Sequence, residues 1–179
     1  IFDGADAVML SAESAAGQFP AEAVATMNRI AEEVEGEDTY HTIMKAQHAE
    51  PEATGSDAIA AAARQIAETL DLSAVVCWTF SGSTGLRVAR ERPQVPIVAL
   101  SPNVATGRKL SVAWGIHCIV TEDAKDPGDM VERACRLAFQ DGFAKAGRRV
   151  IIVAGVPLGT PGATNMLRIA FVGADSVSE

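Results

Sequence analysis

The stretch AVVCWTFSGSTGLRVARER, residues 74–92, decides the fold of this chain. Its first five residues, 74–78, are apolar and include two β-branched valines, which predicts a short buried strand. Seven residues rich in hydroxyl groups and glycine follow at 79–85. Residues 86–92 then have a helical pattern, which Pro93 ends. The stretch therefore predicts a strand, a turn and a helix.

A turn of this kind offers an anion-binding site. The first N–H groups of a helix have no intrahelical partner, and the helix dipole is positive at that end. Serine and threonine add donors, and glycine lets a ligand approach the backbone. The loop lacks the Gly-Lys-Ser/Thr sequence of a nucleotide P-loop. Because serine and threonine are also ordinary helix N-caps, a capped turn without a ligand fits the same residues.

The composition limits the classes of protein to which the chain can belong. Its 179 residues, 48% of them hydrophobic, suffice for one domain with a sizeable core, or for one domain plus a fragment. A net charge of −8 argues against nucleic acid or an anionic membrane as a partner. No apolar run approaches the ~20 residues of a membrane span, and no signal peptide is apparent. The three cysteines show no metal-binding spacing and are expected to be free thiols in a reducing cytoplasm.

Regular alternation of helices and apolar strands follows residue 56. It predicts an α/β fold with a five-stranded, mixed and mostly parallel sheet that is flanked by helices. Only a loop joins the last two strands, so the last strand is expected to be antiparallel to its neighbour. The predicted strands are 74–78, 96–100, 116–120, 150–154 and 166–172. The predicted helices are 57–70, capped by Ser56, then 86–92, one from Asn103 to about 112, and 127 to about 146.

The first 55 residues have a different organisation. Residues 7–10 predict a strand, and residues 21–35 predict an amphipathic helix that Pro20 begins. A single parallel strand has nothing to pair with, so this βα unit is expected to be a fragment of a larger structure. The polar residues 36–55 are interpreted as a linker with at most one short helical turn. The predicted domains are therefore 1–35, the linker 36–55, and 56–179.

A second loop, GVPLGTPGATN at 155–165, contains three glycines, two prolines and two threonines. It leaves the end of strand 150–154, just as the first loop leaves the end of strand 74–78. If these strands are parallel, both loops lie at the same edge of the sheet, where α/β proteins bind ligands. Together they could clamp one phosphorylated ligand. A tight loop into an antiparallel strand is the alternative.

Several segments together resemble pyruvate kinase. DGADAVMLSAESAAGQFPAEAV at 3–24 resembles the end of that family's catalytic barrel, with Ala12 and Ser14 as departures from the family pattern. TFSGSTGLRVARERP, PIVAL, RKLSVAWGI and GVPLGTPGATN resemble successive segments of its C-terminal regulatory domain. The resemblance implies that residues 1–35 are a partial barrel unit and that 56–179 are the regulatory domain.

Pyruvate kinase is a cytoplasmic enzyme of glycolysis that transfers phosphoryl from phosphoenolpyruvate to ADP with Mg²⁺ and K⁺. In the family, the catalytic lysine, the metal ligands, an arginine and a substrate threonine lie upstream of the segment that resembles 3–24. The resemblance therefore implies that the chain alone is inactive and has no catalytic or metal-binding residue. Ser11 and Glu13 are expected to have structural roles.

The resemblance also implies a site for an allosteric effector. Phe80 and Ser83 stand where some members have basic residues, and the family's tryptophan is absent between Val120 and Arg136. The acidic segment 121–128 occupies that place. AMP or a sugar monophosphate is therefore at least as plausible an effector as fructose bisphosphate. The phosphate loop would be Thr79, Ser81, Gly82, Ser83 and Thr84, and the closing loop would include Gly159, Thr160, Gly162 and Thr164.

Three hypotheses follow. The first is a regulatory and assembly domain of a pyruvate kinase that forms a homo-oligomer, a tetramer in the full-length enzyme, and binds a phosphorylated effector. The second is a stand-alone phosphometabolite-binding module. The third, a small hydrolase or transferase that uses Ser81 or Thr84, has no base placed by the sequence to activate those hydroxyl groups. A structural site that binds no ligand is also consistent with the sequence.

Overall fold

The computed structural model describes residues 1–48, 50–158, 160 and 163–173. The chain divides into two compact units, Ile1–Glu50 and Pro51–Glu179. Among the described residues, no helix is both long enough and apolar enough to cross a membrane.

The first unit consists of helices α1 (Ala12–Ala15), α2 (Pro20–Glu35) and α3 (Asp38–Ala46). The predicted strand at 7–10 is wrong, because the described part of the chain forms a single sheet and these residues do not belong to it. A strand without a hydrogen-bonded neighbour does not form, and residues 7–10 have none. Helix α3 lies where the sequence predicted a linker with at most one helical turn. It has two buried side chains, Tyr40 and Met44.

The second unit contains a five-stranded sheet in the order β3-β2-β1-β4-β5. All neighbouring strands are parallel except β4 and β5, which are antiparallel, as predicted. Its elements along the chain are α4 (Gly55–Thr69), β1 (Leu72–Trp78), α5 (Ser83–Arg90), β2 (Ile97–Ser101), α6 (Val104–Leu110), β3 (Ile116–Val120), α7 (Pro127–Gln140), β4 (Arg149–Gly155) and β5 (Thr164–Phe171).

Both faces of the sheet are covered, which explains why the central strands are apolar without alternation. Val76 of β1 and Ile152 of β4 face a core that includes Met130 of α7. Val75 and its neighbours on the other face pack against α4 and α5, with Val88 buried among them. Helix α7 therefore covers one face, and α4 and α5 cover the other.

Three helix boundaries differ from the predictions. Thr54, not Ser56, caps α4, since its hydroxyl accepts a hydrogen bond from the Asp57 N–H group. Helix α7 ends at Gln140 rather than near residue 146, because Gly142 has a φ of 79° and the chain turns there. Helix α5 begins at Ser83 instead of residue 86, so part of the predicted loop forms the first helical turn.

Candidate functional site

The loops that follow β1 and β4 meet at the carboxyl edge of the sheet. The chain passes from β1 to β2 on one side, and later returns from β3 to β4 on the other side of β1. The crevice between β1 and β4 is therefore the topological switch point, where open α/β sheets bind ligands. A cavity lies there, and six of the predicted site residues line it: Thr79, Ser81, Ser83, Thr84, Thr160 and Thr164.

Gly82 is the one predicted glycine that lies among the described residues, and it does not line the cavity there. Gly82 is buried beside it and shapes the first loop. Gly159 and Gly162 lie outside the described residues. The structure thus brings the two predicted loops together, and the phosphate-binding role of their residues stays a prediction.

The first loop, residues 79–85, begins with a tight turn that hydrogen bonds between hydroxyl and backbone groups stabilise. The Gly82 N–H group donates to the Thr79 hydroxyl oxygen at 2.9 Å, and the Thr106 hydroxyl donates to the Phe80 carbonyl at 2.8 Å. Gly82 has a φ of 89°, in the left-handed region that favours glycine. A side chain at Gly82 would also begin 3.2 Å from Cδ2 of Leu110. Glycine is therefore required for both conformation and space.

Helix α5 begins directly after this turn. Its N-cap, Gly82, has no side chain to satisfy the N–H groups of the first turn. These groups and the positive end of the helix dipole lie at the wall of the cavity that Ser83 and Thr84 form. This end of the cavity offers donors to an anion.

Among the described residues, four hydroxyl groups of the cavity bond to one another in two pairs. The oxygens of Thr84 and Thr164 lie 2.8 Å apart, and both residues are buried. The Ser81 hydroxyl donates to that of Ser83 at 3.2 Å. Cys77 precedes the cavity residue Trp78 in β1, and its burial raises the pKa of its thiol to about 12, so this sulfur stays protonated. The arrangement suits ligand binding by hydroxyl donors, and none of these four hydroxyl groups bonds to a base among the described residues.

The second loop is fixed at its two ends. The Asn165 side chain accepts from the Val156 N–H group at 2.8 Å and donates to the Val156 carbonyl at 2.6 Å. A Cβ atom on Gly155 would lie 2.6 Å from the Ala163 carbonyl oxygen, so the two arms of the loop can approach only at a glycine. The sequence analysis placed Gly155 and Asn165 in this loop but did not identify their roles.

Sequence reasoning missed one charged residue of the site. Asp123 follows β3 and lines the cavity, and it is the single charged residue among the described residues that do so. The predicted parallel sheet contained a signal for Asp123, because the carboxyl ends of β1, β3 and β4 lie at the same edge and residues that follow β3 are therefore candidates for the cavity. The acidic segment 121–128 was noted, but its contact with the cavity depends on tertiary structure.

Asp57 of α4 positions α5 from the other side. Its carboxylate is 2% exposed and lies 2.5 Å from Nη2 of Arg90 and 3.4 Å from Nε of Arg87. The Thr54 hydroxyl donates to the same carboxylate. This hydrogen bond, together with Arg90 and Arg87, holds the pKa of Asp57 below its usual 3.8, although burial raises it.

We expect Asp57→Asn to lower the thermal midpoint at pH 7 by a few degrees. A carboxylate with a lowered pKa in the folded state stabilises the fold above the pKa of the unfolded state, about 3.8. That contribution disappears as the pH falls through the lower pKa of the folded state. The difference in midpoint between the native chain and the variant should therefore shrink between pH 5 and pH 2, as measured by calorimetry.

The matched control is Asp71→Asn. Asp71 also lies 2.5 Å from an arginine nitrogen, of Arg148, but its side chain is 69% exposed. Exposed ion pairs contribute little to stability, so this variant should have nearly the native midpoint at every pH. Equal effects of the two substitutions would contradict a positioning role for Asp57.

Comparisons with known proteins agree with this architecture. The family described as "Pyruvate kinase, alpha/beta domain" matches residues 57–170. A pyruvate kinase of Methylorubrum extorquens is 61% identical over 172 residues, 96% of this chain and 36% of the relative. A pyruvate kinase of Agrobacterium vitis is 40% identical over 97% of this chain and 36% of the relative. A pyruvate kinase of Geobacillus stearothermophilus is also 40% identical, over 94% of this chain and 29% of the relative. The chain thus spans about a third of the length of these relatives, and it belongs to the pyruvate kinase family through that family's α/β domain.

Proposed function

We propose that this chain is the regulatory and assembly part of a pyruvate kinase, and that its cavity binds a phosphorylated effector. The observation that carries the proposal is the meeting of the two loops at the switch point between β1 and β4. The hydroxyl oxygens of Thr84, in the first turn of α5, and of Thr164, the first residue of β5, lie 2.8 Å apart, so one ligand group can contact both.

The binding mode follows from the donors at the cavity wall. The N–H groups of the first turn of α5 and the hydroxyls of Ser81, Ser83 and Thr84 can donate to the oxygens of a phosphate group. Thr160 and Thr164 approach from the second loop. These donors are neutral, so the phosphate is held by hydrogen bonds and the helix dipole rather than by an ion pair.

The reaction is proposed for the full-length protein. There, phosphoryl moves from phosphoenolpyruvate to ADP with Mg²⁺ and K⁺, in the cytoplasm and as a step of glycolysis. Among the described residues, no group of three or more His, Cys, Asp or Glu side chains is placed to hold a metal ion. No step through the ions is therefore assigned to this chain, which we expect to be inactive alone and to contribute to a homotetramer in the full-length protein.

Removal of one cavity hydroxyl tests the proposal. We expect the native chain to bind AMP, ribose 5-phosphate or glucose 6-phosphate saturably in isothermal titration calorimetry. Thr84→Val should weaken that binding roughly tenfold to a hundredfold, because it removes a hydrogen bond to a charged group. The same substitution at Thr69 is the matched control, since the Thr69 hydroxyl bonds within α4 to the Gln65 carbonyl.

Other results would contradict the proposal. A folded chain that binds none of these compounds, or bisphosphates either, would leave 79–85 as a capped turn. Equal losses in Thr84→Val and Thr69→Val would place the ligand elsewhere. Turnover of phosphoenolpyruvate and ADP by the 179-residue chain alone would refute the proposed inactivity.

A further inference from the structure

Another cavity lies along α5, beside the start of α4, and the function proposed above does not use it. We call it the α5 cleft, and its volume of about 350 Å³ is within the range of small-molecule sites. Four of its lining residues follow the spacing i, i+3, i+4 and i+7 on α5, so they lie on one face of that helix. The lining residues are Glu52, Asp57, Ser83, Leu86, Arg87 and Arg90.

Two arginines of the α5 cleft are held in place by a buried carboxylate. Asp57 is 2% exposed, and its Oδ1 atom lies 3.4 Å from Nε of Arg87 and 2.5 Å from Nη2 of Arg90. The arginine side chains are 33% and 45% exposed, so their other N–H groups can reach a ligand. Two positive charges and one negative charge leave this part of the cleft with one net positive charge, on guanidinium groups that are already oriented.

The α5 cleft also contains an acceptor and an apolar surface. Glu52 is exposed and lies two residues before Thr54, the N-cap of α4. Its carboxylate is the second negative charge of the lining, so the cleft as a whole is neutral. Leu86 is half-buried and adds an apolar surface. A ligand that matches this lining has an anionic group, a cationic group and an apolar part.

We propose that the α5 cleft binds a free α-amino acid with an apolar side chain. The ligand carboxylate accepts hydrogen bonds from the N–H groups of Arg87 and Arg90 that Asp57 leaves unused, because the planar guanidinium fork matches a carboxylate. The ligand ammonium group donates to the Glu52 carboxylate, and the ligand side chain contacts Leu86. This inference does not rest on the binding of a phosphorylated effector.

The charges of the α5 cleft discriminate against other small molecules. A dicarboxylate or a phosphate ester would bring a second negative charge near Glu52, and a simple amine would bring its positive charge near Arg87 and Arg90. A neutral molecule would gain no charge-assisted hydrogen bond from either end. The zwitterion is therefore the class of ligand that satisfies both ends of the cleft.

Three matched ligands test this assignment. L-leucine carries both charges, isocaproate is leucine without its amino group, and isoamylamine is leucine without its carboxylate. Each is titrated into the ¹⁵N-labelled 179-residue chain, and the backbone N–H signal of Leu86 is followed by ¹H–¹⁵N NMR. We expect a saturable shift with leucine. Isocaproate and isoamylamine should each bind at least about tenfold more weakly, because each lacks one hydrogen-bonded ion pair.

Two substitutions test the two ends of the cleft. Arg87→Gln should weaken leucine binding roughly tenfold, while Asp57 keeps Arg90 and Thr54 as partners. The control Arg108→Gln changes an exposed arginine of α6 that is not among the described residues lining the cleft. Glu52→Gln should weaken leucine binding roughly threefold to tenfold without weakening isocaproate binding. Its control is Glu132→Gln, an exposed residue of α7.

Several results would overturn the proposal. These are no saturable shift with leucine, equal affinities for leucine and isocaproate, or equal effects of either substitution and its control. Glu52 is exposed and lies outside the helices and strands, so Glu52→Gln still decides if Arg87→Gln does not fold. Thr84→Val should weaken the phosphorylated effector and leave leucine binding unchanged. A loss of leucine binding in folded Thr84→Val would place the amino acid in the cavity between β1 and β4 and refute the α5 cleft.

Discussion

Gly82→Val should lower the free energy of unfolding of the unit from Pro51 onward by about 2–5 kcal/mol and abolish effector binding. The left-handed conformation costs a residue with a side chain about 1–2 kcal/mol. Overpacking adds about 1–3 kcal/mol, because the new Cβ would lie 3.2 Å from Leu110 Cδ2 and 3.4 Å from Thr106 Cγ2. Thr106 also holds the Phe80 carbonyl, so the strain reaches the whole turn. Urea unfolding followed by circular dichroism measures the loss.

Gly142→Val separates the two causes. Gly142 has a φ of 79°, close to that of Gly82, but a Cβ atom there would meet nothing within 4 Å. This control should lose only about 1–2 kcal/mol from the backbone conformation and should bind ligands like the native chain. If both variants lost the same stability and both still bound, the crowding around Gly82 would have no energetic role.

Ile152→Ala should destabilise the same unit by about 2–5 kcal/mol, since it removes three buried carbon atoms and leaves a cavity. Ile152 is fully buried at the centre of β4, on the face that α7 covers. Its neighbours include Val76 of β1, so the cavity would lie beneath the strand that precedes the hydroxyl-rich loop 79–85. The thermal midpoint should fall by roughly 4–15 °C, measured by differential scanning calorimetry.

Ile169→Ala is the control for this substitution. Ile169 lies on β5, the neighbouring strand, and is 41% exposed. Much of its side chain already contacts solvent, so we expect a loss of about 1 kcal/mol or less. A loss at Ile169 as large as that at Ile152 would show that burial against α7 does not dominate the stability of the sheet.

Sequence reasoning succeeded where one local pattern determines one element. The apolar run in β1 and the hydroxyl-rich turn after it predicted a strand, a turn and a helix, and all three form. The short loop between β4 and β5 predicted their antiparallel pairing, because no crossover helix fits within it. The position of the two loops at one edge of the sheet was also predicted, since β1 and β4 are parallel neighbours and their carboxyl ends lie together. The hydrogen bond between Thr84 and Thr164 was not predicted.

The failures occurred where tertiary contacts decide. Residues 7–10 have the composition of a strand, but a strand forms only with a neighbour to pair with. The cap of α4 was missed for a local reason: the Thr54 hydroxyl bonds to both the N–H group and the carboxylate of Asp57, three residues later, so Thr54 rather than Ser56 caps the helix. Asp123 was missed as a site residue because its place in the cavity depends on the packing of α7, through Arg133, and no local pattern encodes it.

The position of Trp78 makes its intrinsic fluorescence a probe of the cavity. Trp78 is almost fully buried, lines the cavity, and donates its indole N–H to the Met130 carbonyl at 3.2 Å. The other tryptophan of the chain is Trp114, whose ring centroid lies 4.5 Å from Cζ of Arg92. Trp114 is not among the described residues that line the cavity. In Trp114→Phe, the remaining fluorescence would come from the indole beside the ligand, so its emission would follow the filling of the cavity without an added dye.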